Sequence, residues 1–214
     1  SDLPLTENQK KYHGLLNDND VRFLFVTGPA GCGKTMMATL NGVDKLLSGD
    51  FSKMIITRPL IPIDEDQIGF LPGDVKQKID PYMEPIYNYV NDFYGKSTLN
   101  SFLSSNQIDI VPMSFIRGRT FKNTIIIGDE MQNASINQMK SLLTRIGSNS
   151  KMVINGDLDQ TDIKSENGLK DIIHRINMYE QDKAIAPYIS VVNLTREDIL
   201  RDEIIKTIME LYDI

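Results

Sequence analysis

The stretch GPAGCGKT, from Gly28 to Thr35, holds the residues with the clearest chemical potential in the chain. It fits the pattern G-x-x-x-x-G-K-[ST], in which backbone N–H groups surround a phosphate. Lys34 would contact the β- and γ-phosphates of a nucleotide, and the Thr35 hydroxyl would bind Mg²⁺. An ordinary glycine turn gives no reason for this lysine and threonine. We therefore predict a nucleotide-binding loop made of Gly28, Pro29, Ala30, Gly31, Cys32, Gly33, Lys34 and Thr35.

Cys32 is the only cysteine of the sequence and lies inside this loop. A helix N-terminus and a neighbouring lysine both favour a thiolate. We expect a lowered pKa for Cys32 and a loss of ATP binding after thiol alkylation. The alternative is a buried, inert thiol.

The stretch TIIIGDE supplies carboxylates for a metal site, because an apolar run there ends in Asp129 and Glu130. Asp129 would hold Mg²⁺ through water, and Glu130 would orient and activate the attacking water. The alternative is a solvated acidic pair at a strand end. The phosphate-binding loop makes the metal site the preferred interpretation.

A third apolar run, KMVIN, is followed by GDLDQ at 156–160. Gln160 has the chemistry to contact the γ-phosphate or the attacking water. A simple turn explains the same spacing equally well, so both interpretations stand.

The elements that must position these groups alternate along the chain. Six short runs rich in Ile and Val predict strands at 21–27, 53–57, 108–113, 123–128, 151–155 and 189–193. Helical spacing falls mostly between them, at 7–17, 35–48, 135–146, 168–180 and 198–213. Such alternation predicts an α/β fold of three layers with a mainly parallel sheet.

One segment, from Pro59 to about Ser105, interrupts the alternation and holds most of the prolines. We predict an insertion made of a loop and one or two helices. The remaining chain shows no linker, so we expect one domain over residues 1–214.

Composition places the 214-residue chain among ordinary globular proteins, with 41% hydrophobic and 24% charged residues. No apolar run is long enough to cross a bilayer, and the first residues do not resemble a secretion signal. We expect a cytoplasmic protein without a membrane partner. The net charge of −6 does not indicate nucleic-acid binding, although a local basic patch is sufficient for it.

The stretch SFIRGRTFK, residues 114–122, is such a patch, with Arg117 and Arg119 between two phenylalanines. Basic residues beside aromatic rings suit single-stranded nucleic acid. A solvated basic loop, or arginines that serve a subunit interface or the nucleotide, are equally good explanations.

Several longer stretches show a family resemblance. GPAGCGKT, GDEMQN and GDLDQ together resemble the ATPase core of superfamily 1 helicases. The motifs TRP, GFLPG, RGRT and LTRIG narrow the resemblance to the PhoH family over nearly the whole chain. This resemblance implies a RecA-like P-loop core that uses ATP and Mg²⁺, a link to RNA metabolism with suspected helicase activity, and a ring, expected to be a hexamer.

The resemblance also implies roles for residues outside the loop. LTENQKKY resembles an adenine-reading segment, so Gln9 is expected to bind the adenine edge; an exposed helix glutamine is the alternative. Arg201, in EDILRDEIIKTI, is expected to act catalytically in the site of a neighbouring subunit; a salt bridge to Glu197 is the alternative. Arg58 joins Arg117 and Arg119 as an expected nucleic-acid contact.

Two functions follow from the sequence. The first is an ATP hydrolase that couples turnover to translocation on, or remodelling of, single-stranded RNA or DNA. The second is a nucleotide-dependent assembly switch that acts on a protein partner without translocation.

Overall fold

Six parallel strands form the centre of the molecule. The computed structural model describes residues 5–60, 75–160, 166–184, 187–200 and Leu211, with the backbone alone over 75–82. The strands are β1 (Phe23–Thr27), β2 (Lys53–Arg58), β3 (Ile108–Pro112), β4 (Thr124–Gly128), β5 (Lys151–Gly156) and β6 (Ile189–Asn193). Their spatial order is β3-β2-β4-β5-β1-β6.

The helices alternate with the strands along the chain. They are α1 (Glu7–Asn17), α2 (Lys34–Ser48), α3 (Val75–Tyr94), α4 (Lys96–Ser104), α5 (Ile136–Leu143) and α6 (Gly168–Asp182). Short 3-10 turns occur at Met113–Phe115, Met131–Asn133 and Arg196–Asp198.

The two faces of the sheet bury two separate apolar layers, because successive side chains of a strand point to opposite faces. Leu24 and Val26 of β1 pack in the layer that carries α1 to α4, whereas Phe25 packs in the layer of α5 and α6. Burial on both faces explains why the strands appear in the sequence as continuous apolar runs. The α/β, three-layer prediction is confirmed.

The strand order brings the chemical motifs to one edge. All strands are parallel, so their carboxyl ends lie together. Only β5 lies between β1, which precedes the phosphate-binding loop, and β4, which precedes Asp129. In open parallel sheets, ligands bind at this carboxyl edge.

Two predicted boundaries were wrong. Helix α5 ends at Leu143, not at 146, because the following residues pair with Phe121: its N–H donates to the Arg145 carbonyl at 2.9 Å, and Gly147 donates to its carbonyl at 2.7 Å. The last predicted helix does not begin at 198, since Ile199 has an extended backbone. After residue 200, only Leu211 of this predicted helix is described, and it is helical.

The predicted insertion is helical where it is described. Helix α3 packs on α2, and α4 packs on α3 and β3. Residues 61–74 of that insertion lie outside the described part of the chain. Among the described residues, none of the helices combines the length and the apolar character that crossing a membrane requires.

Candidate active site

The phosphate-binding loop follows β1 and leads directly into α2. Gly33 is the N-cap of α2 and has a φ of +90°, a backbone conformation that residues other than glycine rarely adopt. A Cβ added at Gly28 would lie 2.9 Å from both the Cβ and the carbonyl oxygen of Leu194. Glycine at these positions lets the loop curl tightly against its neighbours and turn the positive end of α2 toward a bound anion.

Lys34 lies inside its own loop. Its side chain is only 9% exposed, and Nζ donates to the carbonyls of Gly28 at 2.5 Å and Pro29 at 2.9 Å. The ammonium therefore already occupies the centre of the loop. Phosphate oxygens can replace these neutral acceptors, and a charged acceptor forms the stronger hydrogen bond.

Thr35 and Asp129, the two predicted metal ligands, are in contact. The Thr35 hydroxyl donates to Oδ1 of Asp129 at 2.7 Å across the space between the loop and β4. These hard oxygen donors fit Mg²⁺, which proteins hold with one or two such groups while nucleotide phosphates supply the rest. Accordingly, no cluster of three or more His, Cys, Asp or Glu able to hold a metal occurs among the described residues.

Glu130, the predicted general base, has an unusual backbone. Its φ of 53° and ψ of 40° lie in the left-handed region, which is uncommon for residues other than glycine. Its N–H donates to Oδ1 of Asn155 at 3.3 Å, and its carboxylate accepts from Nε2 of Gln132 at 2.6 Å. Such conformations persist where surrounding contacts enforce them, and they concentrate at functional sites.

Gln132 and Asn155 were missed by the sequence analysis. Gln132 is 2% exposed and accepts the N–H of Asp157 at 3.1 Å, so it joins the loops after β4 and β5. Asn155 is 1% exposed, and its amide also donates to the Thr35 hydroxyl at 3.4 Å. A polar residue that ends an otherwise apolar strand was the available signal for Asn155.

Arg58, which we expected to contact nucleic acid, lies beside Asp129, the carboxylate predicted to hold Mg²⁺. Its Nε donates to Oδ2 of Asp129 at 3.2 Å, and its terminal nitrogen contacts the same oxygen. The structure thus places Arg58 in the cluster formed by Thr35 and Asp129. Its role at nucleic acid stays a prediction.

Gln9 is buried next to the loop, with both ends of its amide engaged. Nε2 donates to the carbonyls of Cys32 at 3.1 Å and Asp198 at 2.8 Å, and Oε1 accepts from the Thr6 N–H at 3.0 Å. The alternative interpretation, in which Gln9 is an exposed glutamine on a helix, is therefore wrong. Recognition of adenine by Gln9 stays a prediction. To contact adenine, the Gln9 amide would have to give up these hydrogen bonds.

The expected low pKa of Cys32 is wrong. The thiol is fully buried, and burial raises its pKa, although the nearby Lys34 ammonium at 3.7 Å acts in the opposite direction. The Sγ–H donates to the Pro29 carbonyl at 2.9 Å. Cys32 therefore forms part of the packing of the loop.

Asp198 fixes the segment after β6 against the start of α1, where its carboxylate accepts from Thr6 and Asn8. Burial alone would raise the pKa of Asp198, but hydrogen bonds from Thr6, Thr195 and Asn8 outweigh it and lower the pKa. The neighbouring Leu200 N–H donates to the Gly31 carbonyl at 2.8 Å. Residues 194–200 thus form one wall of the phosphate-binding loop.

Gln160 and Arg201 complete the set of predicted site residues. Gln160 is exposed in the turn after β5, where its N–H donates to the Asp157 carbonyl at 3.2 Å. Its contact with phosphate or water stays a prediction. Arg201 lies outside the described residues.

The basic patch is divided between two edges of the sheet. Its first residues follow β3 at the carboxyl edge, where Arg117 is exposed and lines a groove of about 300 Å³ beside α5. Its last residues approach the start of β4, where the Arg119 guanidinium lies 5.1 Å from the ring centre of the buried Phe121. Only the first part therefore shares an edge with the phosphate-binding loop.

Comparison with known proteins extends these observations. The chain is 38% identical to a PhoH-like protein of Bacillus subtilis over 97% of its length, covering 63% of that protein. It is 34% identical to Protein PhoH of Escherichia coli K12, again over 97% of its length, covering 58% of that protein. The chain thus spans about three fifths of these relatives.

A solved structure and a family model also match. The large terminase of a thermophilic bacteriophage aligns with a TM-score of 0.51 at 10% identity, covering 98% of this chain and 51% of that one, which shows a shared fold. The model of the family described as PhoH-like protein matches residues 3–213. The chain belongs to the PhoH family.

Proposed function

We propose that the chain is a Mg²⁺-dependent ATP hydrolase. The observation that carries this proposal is the contact between Thr35 and Asp129, with Glu130 as the next residue. A threonine after the loop lysine and a carboxylate after a nearby parallel strand are the two protein groups that P-loop enzymes use around Mg²⁺.

Each residue has a distinct task in this proposal. Lys34 and the backbone N–H groups of the loop neutralise and orient the phosphates. Thr35 and Asp129 would hold Mg²⁺, which would stabilise the charge that develops on the phosphates. Glu130 accepts a proton from the attacking water, and the Gln132 amide holds its carboxylate in one orientation.

We further propose that turnover drives movement on, or remodelling of, single-stranded RNA or DNA. Membership of the family supports this, as does an exposed surface that begins with Phe115, 55% exposed, and Arg117. An aromatic ring and an arginine suit stacking and backbone contact with single strands. The groove beside α5 continues this surface.

The decisive measurement is the ATPase rate with and without RNA and DNA oligonucleotides, with the oligomeric state checked in parallel. Acceleration by an oligonucleotide supports the nucleic-acid function. A rate that responds to assembly and not to any oligonucleotide supports the assembly switch. Absence of hydrolysis by a folded protein with Mg²⁺ and either strand contradicts the ATPase itself.

A ring oligomer would complete the site, because in related phosphoryl-transfer enzymes an arginine from a neighbouring subunit commonly stabilises the negative charge of the transition state. Arg201 is the proposed arginine. Arg201→Ala and Lys34→Ala should each be inactive, and a mixture should regain part of the activity because some interfaces combine two intact groups. If no activity returns although subunit exchange is demonstrated, Arg201 does not act across an interface.

A further inference from the structure

Arg58 and Asp129 are neighbours because of the register between β2 and β4. Thr57 pairs with Gly128, and the Asp129 N–H donates to the Thr57 carbonyl at 2.8 Å. Arg58, the last residue of β2, and Asp129, the first residue after β4, therefore lie side by side at the carboxyl edge. This pairing follows from strand order, which no local sequence pattern reveals.

Both oxygens of the Asp129 carboxylate are engaged. Oδ1 accepts from Thr35 at 2.7 Å, and Oδ2 accepts from Arg58 Nε at 3.2 Å and from its terminal nitrogen. The Asp129 side chain is 2% exposed and that of Arg58 is 27% exposed. A buried carboxylate needs a counter-charge, and the guanidinium provides it.

A divalent cation beside Thr35 would need the charge of this same carboxylate. Two cations at one carboxylate repel each other, and the repulsion is strong where water is excluded. We propose that Arg58 is the resident counter-cation of Asp129 and that it competes with Mg²⁺ for this carboxylate. The inference rests on the proposed Mg²⁺-nucleotide site.

This competition has a consequence for how the site loads. Without nucleotide, Arg58 already neutralises the Asp129 carboxylate, so a metal ion alone binds weakly. Nucleotide phosphates add negative charge that accommodates both cations, so metal binding becomes coupled to nucleotide binding. The same ion pair keeps the buried Asp129 satisfied when neither ligand is bound.

The test measures Mn²⁺ affinity by electron paramagnetic resonance, without nucleotide and with ADP. Arg58→Gln removes the positive charge and should tighten nucleotide-free Mn²⁺ binding by roughly tenfold. Arg58→Lys keeps a charge and should stay close to the wild type. Arg175→Gln is the matched control, because it breaks another Arg–Asp pair, on the exposed face of α6, and should leave Mn²⁺ affinity unchanged.

A second readout is thermal unfolding in EDTA. Arg58→Gln leaves Asp129 without its counter-charge, so its melting temperature should fall in EDTA and recover with Mg²⁺ and ADP. If this variant does not fold, the Arg58 Nε–H resonance of the wild-type protein, assigned with Arg58→Lys, should shift when Mg²⁺ and ADP are added.

The outcomes separate the inference from the proposed function. Unchanged or weaker Mn²⁺ binding by folded Arg58→Gln overturns the competition, as does an Arg58 resonance indifferent to Mg²⁺ and ADP. Loss of single-stranded RNA binding by that variant at constant metal affinity also overturns it and favours the nucleic-acid role. Failure of the wild-type protein to bind a fluorescent ATP analogue with Mg²⁺ contradicts the proposed function itself.

Discussion

The two edges of the sheet each hold a nearly buried lysine, yet the two lysines differ in what surrounds them. Lys34 at the carboxyl edge is 9% exposed, and Lys151 at the amino edge is 5% exposed. Lys151 Nζ donates to the carbonyls of Leu15 at 2.7 Å, Leu16 at 2.9 Å and Asp18 at 3.0 Å. It therefore caps the end of α1, where a cation is favourable.

The amino edge also contains a cavity of about 620 Å³, which is larger than the groove beside α5. Its cations are committed to the chain itself: Arg22 donates to the carbonyls of Gly147 at 2.6 Å and Ser150 at 3.3 Å, and Lys45 pairs with Asp50 at 3.6 Å. Because Lys34 also donates to backbone carbonyls, engaged cations alone do not distinguish the two edges.

The carboxyl edge is built from side chains that face one another across different strands. Thr35 contacts Asp129, Gln132 contacts Glu130, and Asn155 lies between them. The two edges differ in these convergent side chains, which single out the proposed site more clearly than the size of a cavity or the burial of a lysine. Changes at the carboxyl edge should alter activity, and changes at the amino edge should alter stability.

The largest effect is expected when each lysine is replaced by methionine. Lys34→Met should weaken ATP binding by about 10²-fold or more, because the phosphates lose their charged partner. Lys151→Met should leave the ATP dissociation constant of the folded protein unchanged. Equilibrium binding of a fluorescent ATP analogue measures both, and equal losses in the two variants would refute the contrast between the edges.

A second large effect is expected at Glu130. Glu130→Gln keeps the shape of the side chain and removes the base, so hydrolysis should fall by roughly 10²-fold or more while ATP still binds. Single-turnover kinetics, with binding measured in parallel, check this. Normal hydrolysis by the variant would remove Glu130 from the catalytic role.

Much of the fold could be predicted from the sequence because it depends on local signals. The six apolar runs locate the strands within about two residues, and GPAGCGKT locates the loop. Asp129 and Glu130 follow an apolar run that is a strand in the structure. Their proximity to Thr35 required only that both strands be parallel and near each other.

The contacts that the sequence did not reveal depend on strand order. Arg58 meets Asp129 because β2 lies beside β4, and Asn155 reaches both Thr35 and Glu130 because β5 lies between β1 and β4. Lys151 resembles the polar start of a strand in the sequence, and its partners on α1 lie more than a hundred residues earlier. No spacing rule in the chain predicts such neighbours.

A smaller effect, on folding, is expected for Lys151. Lys151→Met removes the ammonium donor from three carbonyls at the end of α1, of which those of Leu15 and Asp18 keep a backbone donor. This loss should lower the free energy of unfolding by about 2 kcal/mol. Urea denaturation measures the change, and Lys34→Met is the matched control, expected to lose less. A Lys151→Met protein as stable as the wild type would show that water replaces the ammonium without cost.

The smallest effect is a pH dependence of the difference in unfolding free energy between the wild type and Lys151→Met. Burial lowers the pKa of Lys151 to about 8; Asp18 opposes the shift and Lys45 adds to it. Between this value and the ordinary pKa of 10.5, the unfolded chain binds a proton that the folded protein has released. Stability contributed by Lys151 therefore rises with pH in this window.

The stability gap between the wild type and Lys151→Met should accordingly widen by about 1 kcal/mol when the pH is raised from about 7.5 to about 9. Urea denaturation at both values measures the gap. Lys45→Met is the control, because loss of the neighbouring cation raises the pKa of Lys151 and should move the window to higher pH. A gap that stays constant would mean that the three carbonyls hold the proton on Lys151. The amino-edge lysine would then be a permanently charged cap of α1.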